Sequence, residues 1–219
     1  MSEYRPPFLD KVEQWNKFNE FSGGTFVEKC CHYFDLINLL ADGQPKDVFA
    51  SGGQAVNFLN FMHEGRKSDI DDHGFAIINY RNGIRANFTL NMFASEFYEE
   101  LVITGEKGRL VASEKASADK TRQTEASIMV EVEGHQHYEG SKIGYPPSIE
   151  KSGHHGATFF EHESLISQLQ QNEVDAATPR QGLMAMLVAS AAQRSICENN
   201  VVSIAEHAER NGIKEILNQ

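Results

Sequence analysis

The stretch "GGTFVEKCCHYFDLINLL", residues 23–40, carries the strongest helical pattern in the first half of the sequence. It opens on two glycines and continues as an apolar run in which Phe26, Phe34 and Ile37 recur at helical spacing. This period predicts a helix over residues 25–41. The glycine and proline of the "DGQP" segment that follows predict the end of that helix.

Downstream of this helix the sequence predicts antiparallel strands. "DDHGFAIINY" and "IRANFTLNMF" flank Asn82 and Gly83, a pair typical of tight hairpins. In the second arm, apolar residues from Ile84 to Met92 alternate with polar ones, so one face of the strand is buried and the other is polar. "EELVITGEKGRLVASE" over 99–114 repeats the pattern with "GEKG" as its turn, and "KDVFASG" and "ASIMVEVEG" are further strands.

Helical patterns return from residue 156 onward. In "TPRQGLMAMLVASAAQRSICENN", Thr178 is the expected N-cap and Pro179 the first helical residue. The order of helix, strands and helices predicts an α+β fold: a large open, mostly antiparallel sheet with helices packed on one face. We divide the chain into a leading segment, residues 1–22, and a domain over residues 23–219.

Charge and composition exclude several classes of function. The net charge of -11 repels phosphate backbones, so we expect no nucleic-acid partner. The sequence holds no apolar stretch of membrane-spanning length and no secretory leader pattern, so we expect no membrane partner and a cytoplasmic location. The cysteines Cys30, Cys31 and Cys197 fit reduced, buried thiols in a reducing compartment. Neither GxGxxG nor GxxxxGK[ST] occurs, so nothing here predicts a dinucleotide site.

The polar edge of the first helix is the first candidate site. Glu28 and His32 are four residues apart and share one helix face, where a carboxylate raises an imidazole pKa and suits it to proton transfer. The alternative is a surface ion pair. Lys29 is expected to point to another face and to be solvated. A metal site built from Cys31, His32 and Asp35 is disfavoured because it lacks the paired spacing of zinc sites, and we expect no metal.

A second candidate site lies in "SGHHGATFF", at the end of the long polar loop 135–153. His154 and His155 stand where a loop passes into a helix, and Tyr145 precedes them. A helix start with nearby imidazoles can bind an anion or a polyol hydroxyl. The alternatives are a mobile polar loop and, with little support, a metal-dependent lyase or hydrolase site.

These motifs resemble a known family. "GGTFVEKCCHYFDL" resembles the glycine pair and acid-x-x-x-His element of the glucose-fructose oxidoreductase/inositol dehydrogenase/rhizopine-catabolism (Gfo/Idh/MocA) family. "EYRPPFLDKVEQWNKFN", "GEKGRLV", "FFEHESLISQL" and "AAQRSICENNVVSI" resemble the second domain of that family, from about residue 3 to residue 205. The resemblance implies the dihydrodipicolinate-reductase-like C-terminal fold.

The resemblance also implies a function. Such proteins are usually two-domain oxidoreductases whose N-terminal Rossmann domain holds NAD or NADP, while the C-terminal domain supplies the substrate pocket and the subunit interface. By this resemblance His32 is the catalytic acid/base, and Glu28 orients the substrate or His32. The implied substrate-binding residues are Tyr145, His154, His155, Lys29 and Trp15.

The sequence departs from the family pattern at its start. It begins at the second domain, and Glu28–Lys29 is not the family's Glu-Lys-Pro element because Cys30 replaces the proline. We therefore expect no cofactor bound tightly to these residues and no hydride transfer by them alone. The expected partners are a sugar or polyol, a second copy through the open sheet face, and a separate Rossmann domain. The alternative is a non-catalytic sugar-binding or scaffold module.

Overall fold

The computed structural model describes residues 1–8, 10–117, 124–132, 135–137, 144–170 and 176–217, with the backbone alone at 135–137 and 155. The chain forms two compact units, one from Met1–Glu99 with Pro179–Gln219 and one from Glu100–Thr178. The first unit is therefore discontinuous in sequence, and the second is inserted between its two stretches.

Strands and helices occupy most of the described residues. The strands are β1 (Ser2–Tyr4), β2 (Pro45–Gly53), β3 (Met62–His63), β4 (Arg66–Lys67), β5 (His73–Tyr80), β6 (Arg85–Asn91), β7 (Phe97–Gly105), β8 (Gly108–Ala116), β9 (Glu125–Val132), β10 (His135–His137) and β11 (Val202–Ser203). The α-helices are α1 (Asn19–Ser22), α2 (Thr25–Glu28), α3 (Cys31–Ala41), α4 (Pro147–Glu150), α5 (Ala157–Leu169), α6 (Pro179–Glu198) and α7 (Ile204–Arg210). Short 3-10 helices cover Val12–Lys17, His154–Gly156 and Lys214–Leu217.

The sheet of the first unit has the strand order β1-β6-β5-β2-β11. The predicted hairpin is confirmed: β5 and β6 pair antiparallel, and Gly83 at their turn has a φ of 90°. Within the leading segment, β1 pairs parallel to β6, with Ser2 opposite Thr89. The other ladders described in this unit are antiparallel, so the sheet is mostly antiparallel, as predicted.

Helices cover one face of this sheet. On β5, Ala76, Ile78 and Tyr80 are buried, and α3 and α6 contribute buried residues to the same core. On the opposite face, Phe75 and Ile77 are exposed. The α+β fold with helices on one side of a mostly antiparallel sheet is therefore confirmed.

The alternation predicted for the second arm of the hairpin is wrong at its first residue. Phe88, Leu90 and Met92 are buried, but Ile84 is exposed. Ile84 belongs to the turn that precedes β6, where the period of two that sorts strand side chains by face has not yet begun.

The helix predicted over residues 25–41 is interrupted. It divides into α2 and α3, with Lys29 and Cys30 between them. Phe26 and Phe34 would lie about 12 Å apart along a continuous helix. Here their ring centroids are 5.9 Å apart, and both rings contact Phe88. The interruption brings both rings onto one strand residue.

The second unit contains β8, β9 and β10 and most of β7. β8 and β9 pair antiparallel with Leu110 opposite Val130, and β10 pairs antiparallel with β9. The turn predicted at "GEKG" is confirmed, because β7 ends at Gly105 and β8 begins at Gly108. The predicted loop 135–153 contains β10 and α4, and residues 138–143 lie outside the described part.

Candidate functional site

The Gly23–Gly24 turn is held by contacts from distant segments. Both glycines have positive φ, 76° and 98°. Gln193 of α6 accepts a hydrogen bond from the Phe26 N–H at 3.4 Å and donates one to Asp71 Oδ2 at 2.7 Å. A Cβ added to Gly24 would overlap the Gln193 carboxamide. The turn that carries α2 therefore requires glycine for both its conformation and its surroundings.

Glu28 ends α2 and is largely buried, with 11% of its side chain exposed. Its Oε1 lies 3.9 Å from Lys29 Nζ. Its Oε2 is buried, and no hydrogen-bond partner among the described residues reaches it. Because buried polar atoms are nearly always paired, this oxygen is available to accept a hydrogen bond from a bound molecule.

Lys29 corrects the expectation that adjacent side chains diverge. Because the helix is interrupted after Glu28, Lys29 turns back toward Glu28 and is only partly solvated: its side chain is 23% exposed and its Nζ lies 5.7 Å from the Phe8 ring centroid. Burial lowers the pKa of Lys29, and the Glu28 charge partly offsets that effect. The segment thus presents a carboxylate and an amine side by side.

His32 lies at the second residue of α3 and is exposed. Its Nδ1 is 3.8 Å from Cys31 Sγ, and its ring centroid is 5.0 Å from that of Tyr33. Burial raises the pKa of the half-buried Cys31 thiol, so the group beside the imidazole is a neutral thiol near pH 7. Cys30 is fully buried, and burial raises its pKa as well.

Tyr33, the neighbour of His32 on α3, belongs to a buried polar cluster that the sequence did not reveal. Glu3 of β1 is 1% exposed, and its Oε1 pairs with Arg5 Nη1 at 3.1 Å. The Tyr33 hydroxyl donates to Glu99 Oε1. No local pattern marks these residues as partners, because β1, α3 and β7 are far apart along the chain.

The Glu3 carboxyl carries an unusual proton affinity. Burial raises the pKa of Glu3 from its ordinary 4.5 to about 7, with Arg5 opposing the change and Glu99 reinforcing it. Its Oε2 is buried without a hydrogen-bond partner among the described residues. Near neutral pH the cluster therefore holds a proton in substantial occupancy.

The remaining predicted site residues lie elsewhere. Trp15 is half-buried in the 3-10 helix Val12–Lys17 of the first unit. In the second unit, Tyr145 is exposed with its ring 4.8 Å from that of Phe160, and His154 is exposed with a φ of 45°. The His155 side chain lies outside the described part. The structure thus places Glu28, Lys29 and His32 on one segment.

The described residues form neither a metal-ligand cluster nor a membrane-spanning helix. Within these ranges, no three His, Cys, Asp or Glu side chains are grouped so that they could hold a metal ion. Within the same ranges, no helix combines the length and the apolar character that crossing a membrane requires.

Residues 1–204 match the family model of an oxidoreductase C-terminal α/β domain. The chain belongs to the Gfo/Idh/MocA oxidoreductase family. Myo-inositol 2-dehydrogenase of Thermotoga maritima is 24% identical over 202 residues, which cover 92% of this chain and 53% of the relative.

Solved structures show the same fold. The aldose-aldose oxidoreductase of Caulobacter crescentus, complexed with glycerol, matches with a TM-score of 0.60 at 15% identity, over 92% of this chain and 54% of that one. The WlbA dehydrogenase of Bordetella pertussis, in complex with NADH and UDP-GlcNAcA, matches with a TM-score of 0.56 at 17% identity, over 92% and 53%. The chain spans about half the length of these relatives, and it matches their C-terminal half.

Proposed function

We propose that these residues form the substrate-binding and oligomerisation half of an NAD(P)-dependent oxidoreductase that acts on a sugar, inositol or related polyol. The observation that carries the proposal is Glu28, a largely buried carboxylate whose Oε2 has no partner among the described residues, on the segment that also presents His32. Family membership supports the reaction class, and the relatives' substrates support the polyol.

The proposed chemistry divides between the cofactor and these side chains. A nicotinamide, when bound, accepts the hydride from a secondary alcohol. His32 accepts the hydroxyl proton, since an exposed imidazole can take up a proton near neutral pH. Glu28 Oε2 accepts a hydrogen bond from a substrate hydroxyl, and Lys29 donates one to a neighbouring oxygen. In the second unit, Tyr145, His154 and His155 are proposed as further substrate contacts, together with Trp15 in the first.

The cofactor is proposed to be held mainly by a Rossmann domain outside the 219 residues. The sequence contains no GxGxxG element that could form a glycine-rich turn for the cofactor diphosphate. We therefore expect NAD(H) and NADP(H) to show no heat of binding with this chain in titration calorimetry. Tight nucleotide binding by the chain would contradict this part of the proposal.

Titration of a polyol panel tests the substrate site. We expect myo-inositol, glucose or glycerol to bind, and His32→Ala and Glu28→Gln each to weaken that binding about tenfold, the loss of about one hydrogen bond to a charged group. His63→Ala, which changes a half-buried histidine of β3, is the matched control and should bind as the parent chain does. Equal binding by all three variants would overturn the proposed site.

Oligomerisation is proposed through the open sheet face. Phe75 and Ile77 are 55% and 49% exposed on β5, and Phe49 lies opposite Ile77 on β2. Apolar side chains on an uncovered sheet face are typical of a subunit interface. We expect a dimer or larger in sedimentation, converted to monomer by Phe75→Asp but not by Leu39→Asp on α3. A monomeric parent chain at micromolar concentration would contradict it.

The same face favours a second candidate function, a non-catalytic scaffold module. An association that persists while no polyol binds would favour the scaffold over the substrate domain. A cytoplasmic location is proposed for either function, because the three cysteines are free thiols and a reducing compartment keeps them so.

A further inference from the structure

Tyr33 is a buried residue whose ring lies beside the His32 imidazole. The two rings lie 5.0 Å apart at 59°, although His32 is exposed and Tyr33 is 8% exposed. An exposed imidazole gains a defined orientation only where a rigid neighbour restricts its rotamers. Tyr33 is such a neighbour if its own ring is fixed.

Two contacts fix the Tyr33 ring. It stacks on Phe88 of β6, with centroids 5.3 Å apart and planes at 22°, and Phe88 is fully buried. Its hydroxyl donates to Glu99 at the start of β7. A hydrogen bond to a carboxylate is stronger than one to a neutral acceptor. The ring is therefore held both by its face and by its far end.

The Glu3 carboxyl also acts on the Tyr33 hydroxyl. Glu3 is 1% exposed, is paired with Arg5 at 3.1 Å, and has an Oε2 that no described residue contacts by a hydrogen bond. One phenol proton thus lies near two carboxyl groups, Glu99 and Glu3. An ionised Glu3 competes with Glu99 for that proton, whereas a protonated Glu3 does not.

We propose that Tyr33 is a positioning residue for His32, and that the buried Glu3 carboxyl, through Tyr33, sets the orientation of the imidazole. The importance of that orientation for a reaction rests on the proposed function. The coupling of the three side chains does not, because it depends on the ring contact between His32 and Tyr33 and on the action of the Glu3 charge on the Tyr33 hydroxyl.

The surroundings of Glu3 define when the coupling changes. The titratable and charged groups that act on it or share its cluster come from its own segment, from the α2–α3 junction, from α3 and from β7: Arg5, Lys29, Cys30, Tyr33 and Glu99. The pKa of Glu3 is about 7, and burial raises the pKa of Tyr33 so that its hydroxyl keeps its proton. The competition for that proton therefore begins near neutral pH.

A double-mutant cycle read at His32 tests the proposal in the full 219-residue chain. The imidazole titration of His32 is followed by NMR in the parent chain, Glu3→Gln, Tyr33→Phe and the double variant. We expect Glu3→Gln to move the His32 midpoint by about half a pH unit in the parent background. Glu3→Gln should not move the His32 midpoint in the Tyr33→Phe background, because the hydroxyl that transmits the change is gone.

The same cycle can overturn the proposal. An equal effect of Glu3→Gln in both backgrounds would show that its charge acts through space, without Tyr33. Tyr80→Phe is the matched control, since it removes another buried hydroxyl, bonded to Asn38 Oδ1 at 2.7 Å, and should leave the His32 titration unchanged. If Tyr80→Phe changed the His32 titration as much as Tyr33→Phe does, a specific role of Tyr33 would be contradicted.

Two further measurements keep the outcomes separate. If Tyr33→Phe does not fold, Glu99→Gln replaces it in the cycle, because it keeps the ring and removes the carboxylate with which Glu3 competes for the Tyr33 proton. Polyol binding is measured on every variant. Coupling without polyol binding would support the positioning of His32 and contradict the proposed function. Polyol binding without coupling would support the proposed function and contradict the positioning of His32.

Discussion

The Gly23–His32 segment and the Tyr145–Gly156 segment carry similar side chains but are held in different ways. In the first, Gln193 and Asp71 reach across the unit to the start of α2. In the second, the described contacts come from near neighbours, such as the Phe160 ring against Tyr145 and the Gly153 carbonyl, which accepts from the Gly156 N–H. Similar residue types thus occur in a preorganised frame and in a locally supported loop.

Glycines of positive φ make the contrast measurable. Gly24 has a φ of 98° and faces the Gln193 carboxamide, whereas Gly153 has a φ of 115° and faces the Thr158 hydroxyl, a small rotatable group, at 3.0 Å. A new methyl group on Gly24 must displace the buried Gln193 side chain, which makes two hydrogen bonds. A new methyl group on Gly153 must displace only the Thr158 hydroxyl. The cost of the same substitution therefore measures how firmly each segment is held.

The largest effect is expected for Gly24→Ala. Backbone strain and overlap with Gln193 together should lower the free energy of unfolding by about 3 kcal/mol. Urea titration followed by the fluorescence of Trp15, the single tryptophan, reports on this unit. Gly65→Ala is the matched control, because its φ is 79° with nothing within 4 Å of the new Cβ, and it should lose about 1 kcal/mol of backbone strain alone.

The next effect depends on pH and measures how the burial of Glu3 changes the stability of the first unit. Glu3 binds its proton more tightly in the folded chain, where its pKa is about 7, than in the unfolded chain, where it is near 4.5. Its contribution to stability is therefore full below pH 4.5 and declines by about 3 kcal/mol as pH rises to 7.

Glu3→Gln should remove that decline, so the variant gains on the parent as pH rises. Urea titrations from pH 4 to pH 8, again read at Trp15, measure the difference. Glu20→Gln changes an exposed carboxyl paired with Arg66 and should follow the parent profile. A Glu3→Gln profile parallel to that of the parent would show that Glu3 has the same pKa in the folded and unfolded chains, and would contradict this prediction.

A smaller effect is expected for Gly153→Ala in the second unit. Backbone strain should cost about 1 kcal/mol, since the Thr158 hydroxyl can rotate away from the new methyl group. Hydrogen exchange of the α5 amides measures this loss in the unit concerned. A loss of stability as large as that of Gly24→Ala would show that the two segments are held equally firmly.

The smallest effect is expected for His154→Ala. His154 is exposed, so its removal should change local stability by less than about 0.5 kcal/mol. The same exchange experiment gives the value, with the exposed Lys151→Ala as a control on the neighbouring segment. A loss well above that of the control would indicate that the loop is built around this imidazole.

Local patterns predicted much of the fold. The Asn82–Gly83 pair marked the hairpin because few residues other than glycine adopt its φ of 90°, and Pro179 marked the first residue of α6. Strand alternation predicted which residues of β6 are buried, including Phe88. Each signal lies within about ten residues of the element that it predicts, so it can be read without a tertiary structure.

Features that depend on distant residues were not predictable in this way. The interruption between α2 and α3 accompanies the packing of Phe26 and Phe34 on Phe88, a residue of another element. Glu3 and Glu99 meet Tyr33 only because β1 and β7 border the same helix. In the sequence, Glu3 is one charged residue among many, and nothing near it indicates burial.

The contact from Gln193 to Phe26 has a consequence for the order in which the chain is completed. The two residues are 167 positions apart, and the whole second unit is synthesised between them. During translation, the Gly23–Gly24 turn leaves the ribosome before the second unit but gains its contact with Gln193 only when α6 emerges. Contacts of such long range close late and slow folding. The candidate site is therefore made before the inserted unit but fixed after it, which gives the inserted unit time to fold while the surroundings of α2 are incomplete.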